Sequence, residues 1–353
     1  MEMERVLLAM SGGVDSSVAA VRLLEAGYEV IGYTFIAYAP AYASEAQRAE
    51  RICSKLGIEH FTIDIEDEFE REIMSAFAKD YASGLTPNPC VSCNRAVKFP
   101  LAQRLADERG CKFISTGHYA IAEHGFGSGQ HAIRKARHLE KDQSYVLYNL
   151  QPQQLERLLL PLGILSKPEV REIARTHGLE SADAPDSQDV CFIEDGDYAN
   201  FLKRYGVVCS PGDIVDRSGC ILGSHDGLFN FTIGQRKGIG IAAPKPYYVI
   251  DKDIERNRLV VGFSEECGAG SCTITGVNWV SIERPSGELR VEAKTRYRQT
   301  PERGTLFELS DGSWKLEFDE PLAGVAPGQS AVFYGDGTRY DTDLLLGGGV
   351  ISA

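Results

Sequence analysis

The chain has no run of about 18 apolar residues, which excludes an ordinary membrane-crossing helix. Its opening segment, MEMERVLLAM, lacks the charged stretch, long apolar stretch and small-residue cleavage site of a secretory leader. Cysteine is not scarce, but its nine copies make an odd count, scattered at 53, 90, 93, 111, 191, 209, 220, 267 and 272. That is not the pattern of a disulfide framework, so a reducing, cytoplasmic compartment is expected. Positive charge is in deficit: 37 Lys and Arg against 50 Asp and Glu leave −13, which argues against indiscriminate nucleic-acid binding. The deficit is not uniform. From Val91 to Lys141 nine basic residues meet four acidic ones, so a basic patch inside an acidic chain is expected. The acidic stretch IDIEDEFERE reads as a solvated helix face. There is no repeat of solenoid period and no low-complexity segment.

What the 353 residues do contain is apolar content, 43%, sufficient for two or three cores. Residues 4–120 alternate short apolar runs with amphipathic ones: RVLLAM, VAAVRLLEAG, YEVIGYTF, SEAQRAERICSKLG, IEHFTID and, further on, CKFISTGHYA. Ser44 followed by Gln47 reads as a capping box, and Gly27 and Gly57 stand where helices end. This β-α-β-α order predicts a Rossmann-like parallel sheet with helices on both faces. Residues 141–205 read as mainly helical, with Ser166, Lys167 and Pro168 opening a helix that Gly178 closes. From Gly206 onward come 22 of the 36 glycines and short β-rich runs such as YYVID, RLVVGF and AVFYG, the texture of a barrel or sandwich. The expected fold is therefore α/β. An N-terminal domain spans 1–140 with 141–165 packed on it, a small mainly helical connector spans 166–208, and an all-β barrel region spans 209–353.

The strongest motif is Ser11-Gly12-Gly13-Val14-Asp15-Ser16-Ser17, between the first strand and the first helix. Glycines let the backbone approach an anion, a helix N-terminus aims N–H donors at it, and serines add hydroxyls, so this is a phosphate site. It has no lysine for a Walker A loop and does not read GxGxxG. An aspartate beside phosphates repels them unless a divalent cation bridges the two, so Asp15 is expected to hold Mg²⁺ on a pyrophosphate.

Thr86-Pro87-Asn88-Pro89-Cys90-Val91-Ser92-Cys93-Asn94-Arg95 is a proline-fixed turn leading into the amphipathic VKFPLAQRLADERG. Cys93 is expected near a helix N-terminus beside Arg95 and Lys98, features that lower a thiol pKa. A Cys₄ zinc site needs a second C-x-x-C, and the chain has none. A third segment, Asp186-Ser187-Gln188-Asp189-Val190-Cys191-Phe192-Ile193, means little alone.

Together these segments are specific. SGGVDSS resembles the PP-loop ATP pyrophosphatase signature. With TPNPCVSCNRAVKF, STGHYA, KDQSYVLY, DSQDVCFI, FTIGQRKGIGI, the RYRQ of KTRYRQ and LGGG near the C-terminus, it follows the order and spacing of the bacterial tRNA-specific 2-thiouridylases over nearly the whole chain. The resemblance implies a PP-loop domain, a connecting domain and a β-barrel that convert the wobble uridine of tRNAs for Lys, Glu and Gln to 2-thiouridine. ATP adenylates O2, and sulfur from a cysteine persulfide displaces AMP.

On that resemblance, Ala9, Met10, Ser11, Gly12, Gly13, Val14, Asp15 and Ser16 hold ATP with Mg²⁺, Phe35 lines the adenine site in place of the usual methionine, and Gly117 lies against the nucleotide. Cys191 carries the persulfide, and Cys93 is the nucleophile that forms a disulfide with it. Asn88, Pro89 and Cys90 surround the target base. Many members carry aspartate at position 90, and here Cys90, Cys93 and Cys191 also make a ligand set for a [4Fe–4S] cluster, so a persulfide route and a cluster route both stay open. The tRNA contacts implied are His118, Lys141, Asp142, Gln143, Arg296, Tyr297 and Gln329. Other expected partners are a sulfur donor, either a cysteine desulfurase or a relay protein, and no membrane; the default state is a monomer. Two other readings are a PP-loop ligase forming an amide or amidine, which needs no thiol pair, and a non-catalytic tRNA-binding sulfur relay, which makes no AMP.

Overall fold

The computed structural model describes residues 3–38, 41–126, 130–184, 190–193, 196–208 and 210–352. Strand β1 (Arg5–Ala9) runs through the loop 10–13 into helix α1 (Val14–Glu25), then β2 (Glu29–Ile36), α2 (Ala41–Leu56) and β3 (Glu59–Asp64). Val6, Leu7 and Leu8 of β1 are fully buried, as a central parallel strand covered on both faces must be. Helix α2 starts at Ala41, so Ser44 lies inside its first turn and is not the N-cap expected from the sequence; the Ala-Tyr-Ala that precedes it is compatible with helix and lets the element begin three residues earlier.

A helical stretch follows, α3 (Glu66–Phe69) and α4 (Ser75–Ala82) joined by the π-helical turn Glu70–Met74. A second consists of α5 (Pro89–Cys93) and α6 (Phe99–Glu108), joined by the π-helical turn Asn94–Lys98. Then come β4 (Phe113–Ser115), the hairpin β5 (Ala120–Phe126) and β6 (Gln130–Lys135), α7 (Pro152–Arg157) and β7 (Leu158–Leu159). The sheet order is β3-β2-β1-β4-β7, all parallel. The first loop therefore leaves the carboxyl end of the central strand, where ligands bind in open α/β sheets.

Helix α8 (Lys167–Thr176) has the full capping box: Ser166 Oγ accepts from Glu169 N, and the Glu169 carboxylate accepts from Ser166 N at 2.7 Å. Helix α9 (Tyr198–Arg204) is capped by Asp197. The β-rich remainder forms two separate sheets. Strands β8 (Gly212–Val215), β9 (Ile221–His225), β10 (Tyr248–Asp253) and β11 (Arg258–Gly262) make a small middle domain in the order β10-β11-β8-β9. Strands β12 (Gly268–Trp279), β13 (Leu289–Lys294), β14 (Glu302–Glu308), β15 (Trp314–Ala323), β16 (Ser330–Tyr334) and β17 (Leu345–Ile351) close an antiparallel barrel. Trp314, Leu316, Val291, Ala293 and Phe333 fill its interior.

The segment 144–148 fastens this barrel to the parallel-sheet domain. Tyr145 donates its hydroxyl to the Ser330 carbonyl at 2.8 Å, Tyr148 meets Ser330 Oγ at 3.0 Å, and Asn278 Nδ2 donates to the Tyr148 carbonyl at 2.7 Å. All are partly or wholly buried, where a lost partner costs about 1–3 kcal/mol. Among the described residues no helix is long and apolar enough to cross a membrane.

Candidate active site

The loop after β1 has the anatomy of an anion cradle. Gly13 is the N-cap of α1 in extended conformation, and no side chain caps the helix, so the first-turn N–H groups have no capping acceptor. Gly12 adopts φ +71°, and a Cβ there would stand 2.6 Å from the Glu45 carbonyl oxygen, so only glycine fits. Gly117, after β4, backs onto the same helix end: its Cβ would meet Ser16 N at 2.9 Å. Ser11 N and Ser11 Oγ both lie 3.2 Å from Ser16 Oγ, and Ser17 Oγ donates to Gly13 O at 2.7 Å. Ala9 closes β1; Met10 is buried and donates its N–H to Tyr33 O at 2.8 Å; Val14 is buried; and Phe35, in β2, is half-buried against the main core.

Asp15 does not stand alone. Tyr119 donates its hydroxyl to Asp15 Oδ1 at 2.6 Å, and Lys167 Nζ lies 2.7 and 2.9 Å from the two carboxylate oxygens. Sequence reasoning missed both partners. A signal for Lys167 existed: a lysine in the first turn of a helix opposes the helix dipole and wants another reason to be there. A bridging Mg²⁺ draws on one or two carboxylates, phosphate oxygens and water, so the Asp15 carboxylate at the cradle's edge fits that donor type.

The thiols come from two distant segments. Asn88 caps α5, its side-chain oxygen accepting from Val91 N, and Pro89 occupies the first helical turn. Cys90 is in that first turn and exposed, whereas Cys93 is the last residue of α5, just before the π-helical turn. The sequence expectation that Cys93 sits at a helix N-terminus is thus displaced by one turn. Its expected low pKa is also corrected: burial pushes the Cys93 thiol up to about 11, outweighing the Lys98 ammonium and backbone N–H, which favour the thiolate. Cys191 and Cys90 both lie close enough to raise it further.

Of the DSQDVCFI motif, Asp186 to Asp189 lie outside the described residues. Cys191 is exposed, and the next residue, Phe192, is buried edge-on against Phe77 (5.4 Å, 87°) and Phe69 (5.8 Å, 74°), which anchors the segment. Among the described residues no three His, Cys, Asp or Glu side chains are grouped to hold a metal ion. As placed, Cys90, Cys93 and Cys191 do not make the preassembled ligand set a cluster needs.

Six of the seven residues expected to touch tRNA divide into two groups, and His118 stands apart. Asp142, Arg296 and Gln329 are used by the protein itself. Asp142 is buried: its Oδ1 accepts from Ala136 N and Ser144 N, its Oδ2 from Ser144 Oγ, and that hydroxyl meets Tyr334 at 3.0 Å. Arg296 donates to the Ile233 carbonyl and fills the space over Gly234 and Gly324, joining the middle domain to the barrel. Gln329 Nε2 donates to the Thr86 carbonyl at 2.5 Å while Thr86 N donates to Pro327 O at 2.9 Å, so a barrel turn holds the start of the TPNPC segment.

His118 is partly buried, stacked on Phe99 (6.2 Å, 23°) with Nδ1 at 2.7 Å from Thr116 Oγ1. Desolvation, with the Lys98 ammonium nearby, pushes its pKa down to about 3, so the ring is neutral at pH 7. Lys141, Gln143 and Tyr297 form the second group: they line one cavity. It has a volume of about 690 Å³ and is lined by Ser11, Gly13 and Asp15 of the cradle and by Lys294, Tyr297 and Arg298 of the barrel. Gln143 is fixed there by Tyr119, whose N–H donates to Gln143 Oε1 at 2.9 Å. Tyr297 titrates higher than usual through desolvation and the nearby Asp142 and Cys90, so the ring is close to the first thiol of the C-x-x-C pair. Lys135 and Lys294, which sequence reasoning passed over, belong to the same wall.

Residues 4–195 match a family model described as the tRNA methyl transferase HUP domain, 199–263 one described as the tRNA methyl transferase PRC-barrel domain, and 269–351 one described as the aminomethyltransferase beta-barrel domain. A Trichormus variabilis protein named tRNA-specific 2-thiouridylase MnmA is 44% identical over 354 residues, covering 99% of each chain. A protein of the same name from Halothermothrix orenii is 40% identical over 362 residues, again covering 99% of each. A solved complex of a 4-thiouridine synthetase with RNA and bound ATP aligns over 54% of this chain and 45% of its own, at 18% identity and a TM-score of 0.39.

Proposed function

The chain belongs to the family of tRNA-specific 2-thiouridylases, and from that premise we propose how its site thiolates the wobble uridine of tRNAs for Lys, Glu and Gln at the expense of ATP. The cradle of Ser11 to Ser16 binds the triphosphate, with Phe35 and Gly117 beside the nucleoside, and Asp15 would hold Mg²⁺ there. When bound, that ion neutralises charge on the departing pyrophosphate. Uridine O2 attacks the α-phosphorus, the bond to the bridging oxygen of the β-phosphate breaks, and pyrophosphate leaves.

Sulfur enters from a persulfide on Cys191, loaded by a cysteine desulfurase or a relay protein. The deprotonated terminal sulfur attacks C2 of the adenylated base and AMP leaves, which joins Cys191 to the base through a disulfide. Cys93 then attacks Cys191 Sγ, the sulfur–sulfur bond breaks, the thiocarbonyl sulfur departs with the electron pair, and the Cys93 proton passes to N3 of the base, giving 2-thiouridine. A Cys93–Cys191 disulfide remains, and a dithiol reductant returns it to two thiols. The observation that supports this reading is that Cys93 and Val190 pack against one core cluster that contains Phe192, which brings the two thiol-bearing segments to the same patch of core. The domain plan that serves it is residues 1–140 for ATP, the connector 166–208 for tRNA, and the β-rich region from 209, a four-stranded sheet followed by a six-stranded barrel, for holding both in register.

The test is a reaction of the protein with unmodified tRNA-Glu, ATP, Mg²⁺ and a persulfide donor. The wild type forms 2-thiouridine, AMP and pyrophosphate. Cys191→Ser forms no 2-thiouridine yet still releases pyrophosphate in the presence of tRNA. Thiolation by Cys191→Ser, or the absence of AMP with every tRNA, would refute the assignment.

A further inference from the structure

Lys294 ends β13 and lines the cavity that Ser11, Gly13 and Asp15 of the cradle also line. Its ammonium sits 5.8 Å from the centre of the Tyr145 ring and 5.9 Å from that of Tyr297. Among the described residues it has no hydrogen bond and no ion pair, although burial already disfavours its charge. A partly buried cation left without an acceptor is costly, and aromatic faces offset only part of that cost. A second unmet donor lies nearby: the Gln299 side-chain oxygen is fixed by Thr295 N and Oγ1, at 3.0 and 2.9 Å, which leaves its buried amide nitrogen without an acceptor.

The charges facing this space are Lys135, Lys141, Lys294 and Arg298 against Asp15, Glu140 and Asp142. Two of the three acids are already satisfied, Asp15 by Lys167 and Asp142 by Ala136 and Ser144. Lys135 is spoken for as well, donating to the Thr342 carbonyl at 2.7 Å and lying over the Tyr334 ring. With those groups set aside, Lys141, Lys294 and Arg298 face Glu140, an excess of positive charge, and Lys294 is partly buried where Arg298 is exposed.

We propose that Lys294 is a phosphate-binding residue, taking a phosphate group of the RNA at its ammonium where it meets the cavity beside the packed Tyr145–Tyr297 pair. The proposal rests on the reading that this cavity receives the tRNA substrate. Tyr297, 36% exposed on the cavity wall, offers an aromatic face suited to stacking an extruded base, and a cation beside it suits the phosphate of that same nucleotide. The nucleotide's own polyphosphate is the other source of the same chemistry.

The experiment compares the wild type with Lys294→Gln, Lys294→Met and Lys294→Arg, each checked by thermal melting. It measures the Kd for unmodified tRNA-Glu across a salt series and, without RNA, the Kd for Mg-ATP. The expected result is that both neutral variants bind tRNA about ten-fold more weakly at low salt and lose roughly 0.7–0.9 from the slope of log affinity against log salt, one phosphate contact's share. Lys294→Arg retains both, and ATP affinity is unchanged. A ten-fold loss of ATP affinity with tRNA binding intact would keep the phosphate subsite and assign it to the nucleotide. If both affinities stay within two-fold in every variant, the subsite is overturned. That failure is separate from failure of the functional reading, in which the wild type itself would neither bind nor thiolate tRNA.

Discussion

Lys167 Nζ holds the carboxylate of Asp15 at 2.7 and 2.9 Å, tying the first turn of α8 to the first turn of α1 across 152 residues of sequence. The ammonium is well sheltered and the carboxylate about one third exposed, at 11% and 35% side-chain exposure, so the pair is not a solvated surface bridge of negligible worth. It fixes the orientation of the one carboxylate in the cradle and places a cation at the edge of the phosphate site.

Lys167→Ala is predicted to reduce tRNA-dependent pyrophosphate release about ten- to a hundred-fold, the range lost when a charged positioning group is removed from a phosphoryl-transfer site. Lys167→Arg keeps the charge and should recover a large part. The measurement is pre-steady-state pyrophosphate release at saturating ATP. An unchanged rate in Lys167→Ala would mean the ion pair is structural only.

Much of the fold is readable in the sequence because its cause is local. The β-α alternation follows from apolar periodicity, and the start of α8 from a capping box contained in four residues, Ser166 to Glu169. The helix that carries the thiols shows the limit of that approach. Asn88 and Pro89 are an N-cap and first-turn pair, but the amphipathic pattern is clearest only after Val97, and reading from the pattern moves the helix start past Cys93. The uses of Arg296 and Gln329 are unreadable for a different reason. Gln329 meets Thr86 across 243 residues and Arg296 meets Ile233 across 63, so a motif that looks poised for RNA is spent on holding domains together.

Gln329→Ala removes the donor that fixes the Thr86 carbonyl, loosening the segment that carries Cys90 and Cys93. We predict that the rate of sulfur transfer falls about ten-fold while ATP affinity is unchanged, since a small misplacement of a reacting group costs rate and the cradle is untouched. Single-turnover formation of 2-thiouridine, beside ATP binding by calorimetry, separates the two. Equal losses in both would show that the turn supports the whole domain and not the thiol segment.

Phe192→Ala empties a buried aromatic site against Phe69, Phe77 and Phe201, and is predicted to destabilise the protein by about 3–5 kcal/mol. Phe192→Leu should cost less and, by keeping an apolar anchor next to Cys191, preserve more activity. Denaturant melts of the three proteins give the stabilities. A loss below about 1 kcal/mol for Phe192→Ala would mean that the anchor is not what positions Cys191.

His118 carries a pH signature. Its pKa is about 3 in the fold and near 6.5 in an unfolded chain, so the unfolded state binds the proton first as pH falls. The contribution is complete above pH 6.5 and is lost progressively as pH drops from 6.5 towards 3. Thermal melts between pH 7.5 and 4.5 should therefore fall less steeply for His118→Gln than for the wild type. Parallel curves would mean that the ring is protonated in the fold.

Burial that holds the Cys93 thiol near 11 keeps it protonated at neutral pH before substrate arrives, so it should alkylate far more slowly than exposed Cys191. With iodoacetamide and peptide mass spectrometry, the Cys93 rate is predicted to rise with unit slope from pH 7 to beyond pH 9. A plateau below pH 8 would show a thiolate already formed.

In the proposed reaction Cys191 and Cys93 act as one sulfur-transferring pair. That pairing is tested by loading Cys191 with a single persulfide, adding ATP and unmodified tRNA-Glu for one turnover without reductant, and counting both 2-thiouridine and the disulfide-linked peptides. The account predicts one Cys93–Cys191 disulfide for each 2-thiouridine formed, and neither in Cys93→Ser. Product appearing without that disulfide, or at full yield in Cys93→Ser, would contradict it.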